Sequence, residues 1–185
     1  MANCSVACGQ ITINAQNEKM VEAIRESIFK IVRRFAYYTI INDDEMEAAV
    51  EKHENGASAT YDFIGEGRWS YDNNIKDMLQ CVKAYLLDTQ RKDILAVLEE
   101  NNFTLTFDYS DYEVGFEWIT RDKIELVHAA GMPLQKSEYK VVKHEDFDWT
   151  YGNLVNIAGE CEEYAYELFH MDDEALLKQK NRSVQ

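Results

Sequence analysis

The stretch Ile64-Gly65-Glu66-Gly67-Arg68-Trp69-Ser70-Tyr71-Asp72-Asn73-Asn74 (IGEGRWSYDNN) stands between two different hydrophobic periods. Upstream, ASATYDFI (57–64) sets Ala59, Tyr61 and Phe63 on one side, the alternation of a strand. Downstream, Ile75, Met78, Leu79, Val82 and Leu86 recur at helical spacing as far as Asp88. Read as a junction, the stretch uses Gly65 and Gly67 for a bulge or a close backbone approach. Trp69 and Tyr71 then alternate as strand residues, and Asp72, Asn73 or Asn74 caps the helix. A phosphate-binding reading fails chemically. No Lys-Ser or Lys-Thr follows the glycines, the third glycine of the dinucleotide fingerprint is missing, and Glu66 would repel a phosphate. The functional alternative is a recognition surface in which Arg68 reads a carboxylate while Trp69 and Tyr71 supply flat contact area.

Working back from the junction, SVACGQITINA (5–15) reads as a first strand. Val6, Cys8, Ile11, Ile13 and Ala15 point inward if a bulge near Gly9 absorbs the change of phase. Asn17 can cap a helix over about 18–38, with Met20, Val21, Ile24, Ile28, Ile31, Val32 and Phe35 on its apolar face. Asp43 and Asp44 suggest the cap of a short acidic helix, EMEAAVEKHE, ending near Asn55-Gly56. Working forward, Ile94, Leu95 and Leu98 continue the helical pattern to Asn101-Asn102, as one long helix or two short ones.

The period then returns to two. Phe103, Leu105, Phe107 and Tyr109 alternate, as do Val114, Phe116, Trp118 and Thr120, and the run to Gly131 reads as a three-strand antiparallel meander with turns near Ser110-Asp111 and Arg121-Asp122. EYKVVKHE (138–145) is a weaker strand after the only proline, Pro133, and helices are expected at 159–169 and 172–180. Interleaved strand-helix-strand units predict an α+β fold with a ferredoxin-like split β-α-β core, an antiparallel meander and a C-terminal helical extension. One domain spans 1–185, its core at about 5–130 and its acidic helical extension at about 144–185.

Charge is the strongest global signal. Against 19 Lys and Arg stand 34 Asp and Glu, for a net charge of -15. From His144 to Glu174 there are ten acids and no Lys or Arg. Such a surface repels nucleic-acid backbones and anionic lipid and favours a partner with a basic face, so neither direct nucleic-acid binding nor membrane association is expected. No apolar run has the length of a membrane span, and MANCSVACGQITINAQ lacks a basic leader and an h-region, which points to the cytoplasm. In that compartment Cys4, Cys8, Cys81 and Cys161 are expected as reduced thiols rather than a disulfide framework.

Catalytic and metal signatures find no match. No close Cys or His pair offers half a zinc site, MDDE and HEDFD lack calcium-loop spacing, and no serine lies in a nucleophile elbow. No cofactor is implied. Tyr109, Tyr112, Phe116 and Trp118 could form a stacking platform, but such platforms come with a cationic groove, and here Asp108, Asp111, Glu113 and Glu117 surround them. The candidate contact residues are therefore Arg68, Trp69, Tyr71, Tyr112 and Trp118, as a protein-binding surface.

The segment YSDYEVGFEWITRDKIEL (109–126), with Glu113 before Gly115-Phe116, resembles a strand of the YubB-type ferredoxin-like proteins of plasmids, phages and other mobile elements. The opening MANCSVACGQITI resembles their first strand, although Asn3-Cys4 stands here without the tryptophan of an Asn-Trp-Cys pattern. The resemblance implies a ferredoxin-like fold and a mobile-element setting; it transfers no catalytic residues.

These features together predict a non-enzymatic acidic interaction protein, in concrete form an accessory factor or inhibitor acting on a basic, nucleic-acid-handling partner. One alternative is a small hydrolase-like or other enzyme with a cleft near 64–74, Arg68 anchoring an anion and Glu66 or Asp72 acting as general base. Another is a structural protein that forms a homo-oligomer through a sheet edge.

Overall fold

The structure is a computed structural model that describes residues 4–29, 31–32, 38–41, 50–68, 70–113 and 118–146. Strand β1 (Cys4–Ala15) leads into α1 (Glu18–Ile24) and a π-helical turn (Arg25–Phe29), followed by β2 (Tyr38–Ile41), β3 (Glu51–His53) and β4 (Gly56–Arg68). Helices α2 (Tyr71–Asp88) and α3 (Lys92–Glu99) come next, then β5 (Phe103–Glu113), β6 (Trp118–His128), a 3-10 turn (Leu134–Lys136) and β7 (Glu138–Asp146). The strands form one sheet ordered β2-β4-β1-β5-β6-β7, with β3 also paired to β4, and every pairing is antiparallel. The class is α+β. Because β1 opposes both neighbours, β4 and β5 run parallel on either side of it, joined through α2 and α3. In the same way β1 and β2 run parallel on either side of β4.

Alternation decides which side chains meet the helices. Ala7, Ile11 and Ile13 of β1 share the buried core with Ala59, Tyr61 and Phe63 of β4 and with Phe103, Leu105, Phe107 and Tyr109 of β5. Met20, Val21 and Ile24 of α1, Ile75, Met78, Leu79, Val82 and Leu86 of α2, and Leu95 and Leu98 of α3 cover that same face. At its centre Phe63 lies edge-on to Phe107 and Tyr109 and stacks on Tyr71. Each such ring contributes roughly 1.5–3 kcal/mol by leaving water. Asn17 caps α1 as its sequence promises, its side chain accepting the Met20 amide at 3.0 Å. The opposite face is polar toward the Ala15 end: Gln10 donates to Asp62 at 3.0 Å and the hydroxyls of Thr12 and Thr60 meet at 2.9 Å.

The glycine stretch is a strand end packed under a helix start. β4 runs straight through Gly65 and Gly67 in regular register with β1, and Ser70, extended in backbone, stands at the cap position before Tyr71. The Tyr71 ring lies flat over Gly65, where an added Cβ would stand 2.6 Å from the phenol oxygen. Over Gly67 sit the Asn74 amide, the Ser5 hydroxyl and the Tyr71 backbone. Both glycines are therefore required for close approach rather than for a bulge.

Several expectations need correction. β1 contains no bulge at Gly9: Ser5, Ala7 and Gly9 continue the phase of Ile11, and Val6 and Cys8 fall on the opposite face. The helix expected to about 38 is interrupted at Arg25 by the π-helical turn, where the Ser27 hydroxyl donates to the Ala23 carbonyl; it is helical again at 31–32, with Ile28, Ile31 and Val32 buried as expected, and Tyr38–Ile41 is a strand. Glu51–His53, read as the end of an acidic helix, pairs with β4 through the tight turn before Gly56. Of the two readings left open for the helical run after the junction, one long helix or two short ones, the structure has two, the first of them long. The expected turns at Ser110-Asp111 and Arg121-Asp122 lie in mid-strand, facing Arg121-Thr120 and Ser110-Tyr109 across an unbroken ladder, so the meander has two long strands before β7 instead of three short ones. The expected C-terminal helices lie outside the described residues. Cys8 is disulfide-bonded and Cys81 is a free thiol, so the expectation of four reduced cysteines fails at Cys8.

Candidate functional site

A cluster of polar groups enters the core where α2 begins. The Tyr71 amide is among the first of the helix and has no carbonyl within it to meet. It donates instead to Asp111 Oδ2 at 2.7 Å. Asp111 can reach it because it continues the inward phase of Phe103, Leu105, Phe107 and Tyr109 on β5, which buries it to 5% exposure. Burial pushes its carboxyl up to about 6, against the Tyr71 amide and the nearby Ser5 hydroxyl, which favour the anion, while Asp122 and Asp72 push it further upward. The Ser5 hydroxyl comes near without closing a hydrogen bond of ordinary geometry. Its Oγ, Asp111 Oδ1, Asn74 Nδ2 and the Tyr109 hydroxyl are all buried with no hydrogen-bond partner.

Two further acids frame this pocket of polar atoms. Asp122 lies opposite Tyr109 on β6, accepts the Thr120 hydroxyl at 2.8 Å, and meets His144 Nδ1 of β7 at 2.5 Å. Asp72 accepts the Ser70 hydroxyl and Lys76 Nζ, the latter at 2.6 Å. Burial works to raise the Asp72 carboxyl, but these bonds outweigh it and hold it below the usual carboxylate range. The phenols nearby respond in the opposite sense. Burial first, then the charges of Asp122, Asp111 and Asp72, push the Tyr109 hydroxyl far above the ordinary phenol range. Burial with Asp72 and Asp122 does the same to Tyr139, whose ring lies 5.1 Å beneath Lys76 Nζ.

Chemically, the cluster can hold a proton on a carboxyl up to about pH 6 and can hold an imidazole in a fixed orientation against a buried carboxylate. The second is the base-and-orienter half of an acid-base site, and it also ties β7 to β6. Among the described residues no three His, Cys, Asp or Glu side chains are grouped to share a metal ion. None of the described helices is long and apolar enough to cross a membrane.

The residues singled out from sequence are dispersed. Tyr71 is fully buried under the helix start, so it is corrected from a recognition residue to a packing residue. Tyr112 faces the opposite side of the sheet, half-buried, opposite Val6 and Ile119. Arg68 ends β4 opposite Cys4, Trp118 begins β6 opposite Glu113, and Trp69 lies outside the described residues. Of the alternative bases, Glu66 is exposed and Asp72 belongs to the cluster. Asp111, Asp122 and His144 were not singled out. The available signal was an acid continuing an inward alternation, which a turn assignment at Ser110-Asp111 conceals. No protein-family model, curated protein or solved structure matches this chain.

Proposed function

We propose that this chain is a non-enzymatic acidic interaction protein built on a ferredoxin-like core, which engages a partner through that partner's basic surface. The strand order β2-β4-β1-β5, with two interleaved strand-helix-strand units, supports the ferredoxin-like description. The observation that carries the functional reading is the state of the cations. Lys52 pairs with Glu18, Lys76 with Asp72, Lys83 with Glu99, Lys123 with Asp108, Lys140 with Glu138 and Lys143 with Glu145, at 2.6–3.4 Å. With those positive charges matched by acids within the molecule, the chain's net charge of -15 is what steers a basic partner. An accessory factor or inhibitor of a nucleic-acid-handling protein, encoded by a mobile element, is the concrete form of this reading.

Binding of an oligolysine peptide and of a DNA oligonucleotide, measured between low and physiological salt, tests it. Affinity for the peptide should fall steeply as salt rises, with no comparable affinity for the DNA. A salt-insensitive peptide affinity, or preference for the DNA, counts against it.

The small-enzyme reading draws on the His144–Asp122 pair and on the raised carboxyl of Asp111. It requires a hydrolytic activity that disappears in His144→Gln while the variant stays folded.

A further inference from the structure

The face of the sheet turned away from the helices changes character toward the beginning of β1. Ile64 and Ile119 lie on that face, yet they are 0% and 4% exposed and stand apart from the core that the helices cover. Register groups them with Val6, Cys8 and Tyr112: Cys8 is opposite Ile64, Val6 is opposite Tyr112, and Tyr112 is opposite Ile119. The core cluster that the described helices build does not include them.

Cys8, on this face, is disulfide-bonded. The chain has four cysteines, and Cys81 is a free thiol. Cys4 shares β1 with Cys8 in unbroken register, opposite Arg68 while Cys8 is opposite Ile64. Four strand residues separate two Cα atoms by roughly 13 Å, and a disulfide tolerates no more than about 7 Å. Cys161 is what remains. The reach is ample: β7 ends at Asp146, opposite Thr120, which is opposite Asp111, which is opposite Ala7 beside Cys8. Three inter-strand steps amount to roughly 14 Å, whereas the chain from 146 to 161 can extend to roughly 50 Å.

We propose that Cys161 is the other half of the Cys8 disulfide, so that the acidic C-terminal segment is bonded onto the outer face of the sheet over Val6, Ile64, Tyr112 and Ile119. Forming the bond removes one hydrogen from each thiol and passes two electrons and two protons to a disulfide oxidant such as oxidised glutathione, which leaves as two thiols. Such a bond would tether the segment with ten acids and no Lys or Arg to this face at one point.

Full-length protein is equilibrated with oxidised glutathione, alkylated without reduction and digested with trypsin. Peptide 1–19 should be found joined to peptide 144–178, in the wild type and in Cys4→Ser, and the junction should vanish in Cys8→Ser and in Cys161→Ser. A second variant guards against misfolding: Cys4→Ser/Cys81→Ser retains only the two cysteines concerned and should remain a monomer lighter by two hydrogens. Alkylation of both Cys8 and Cys161, or linkage of Cys8 to Cys4, to glutathione or to another chain, overturns the proposal.

Discussion

Asp111 and Glu99 are both carboxylates at a boundary of the helical layer, one where α2 begins and one where α3 ends, and their surroundings drive them in opposite directions. Glu99 accepts Lys83 Nζ and the Leu134 amide through one oxygen, both at 3.0 Å. Burial pulls its carboxyl upward, but the Leu134 amide, Lys83 and His128 outweigh that and hold it below the usual range. Asp111 also receives one backbone amide, yet its charged neighbours are Asp122 and Asp72, and its deeper burial carries the carboxyl up to about 6. The difference teaches that an N–H donor alone does not hold a buried carboxyl at or below its usual range, whereas a cation within reach does. The Glu99 end is a staple between α2, α3 and the 3-10 turn. The Asp111 end is a place where ionisation works against the fold.

The largest effect should come from breaking the packing that delivers the Tyr71 amide to Asp111. Gly65→Val drives a side chain into the Tyr71 ring, which is itself held between Phe63 and Tyr109. A loss of about 3 kcal/mol or more in urea unfolding is expected. Gly131→Ala is the control: its φ is +81° but open space surrounds it, so about 1 kcal/mol of backbone strain is expected. Equal losses at the two glycines would remove the claim that the helix start is held by close approach.

Asp111→Asn sharpens the comparison next. A carboxyl raised in the folded state stabilises the fold fully below its unfolded value near 4, and that contribution is lost as pH rises through about 6. The shift corresponds to on the order of 3 kcal/mol across this window. The variant keeps an acceptor for the Tyr71 amide without the charge, so its stability relative to wild type should climb between pH 4 and 7. Parallel stability curves over that range would mean that Asp111 is solvated as an ordinary aspartate.

How much of this was legible beforehand depends on how many faces of a strand are buried. Where one face is buried, alternation suffices: Ile11 and Ile13, Ala59 to Phe63 and Phe103 to Tyr109 read correctly, and so do the faces of α2 and α3. Near the start of β1 the sheet is buried on both sides, and Val6, Cys8 and Ile64 break the period because they answer to a second covering. A bulge at Gly9 was the wrong explanation for that slip of phase. The polar cluster was concealed for a related reason: Asp111 and Asp122 have turn chemistry by type, and only the register that sets them opposite Thr120 and Tyr109 marks them as inward. Composition made the surface charge legible, while the pairing of individual lysines depends on geometry that no periodicity carries.

Glu99→Gln is the smallest and most discriminating change. The glutamate's contribution is present above the ordinary carboxylate range and lost as pH falls below it, the opposite sign to Asp111. Because the pair with Lys83 is about three-quarters shielded and reinforced by the Leu134 amide, removing the charge should cost about 1 kcal/mol at pH 7 and almost nothing near pH 3. The two carboxylates share no hydrogen-bond partner, so in the double variant with Asp111→Asn the effects at pH 7 should add to within about 0.5 kcal/mol. A larger coupling would mean that α2, which carries Tyr71 at its start and Lys83 near its end, transmits strain between the two boundaries, and that the opposite shifts of Asp111 and Glu99 belong to one electrostatic unit rather than to two local environments.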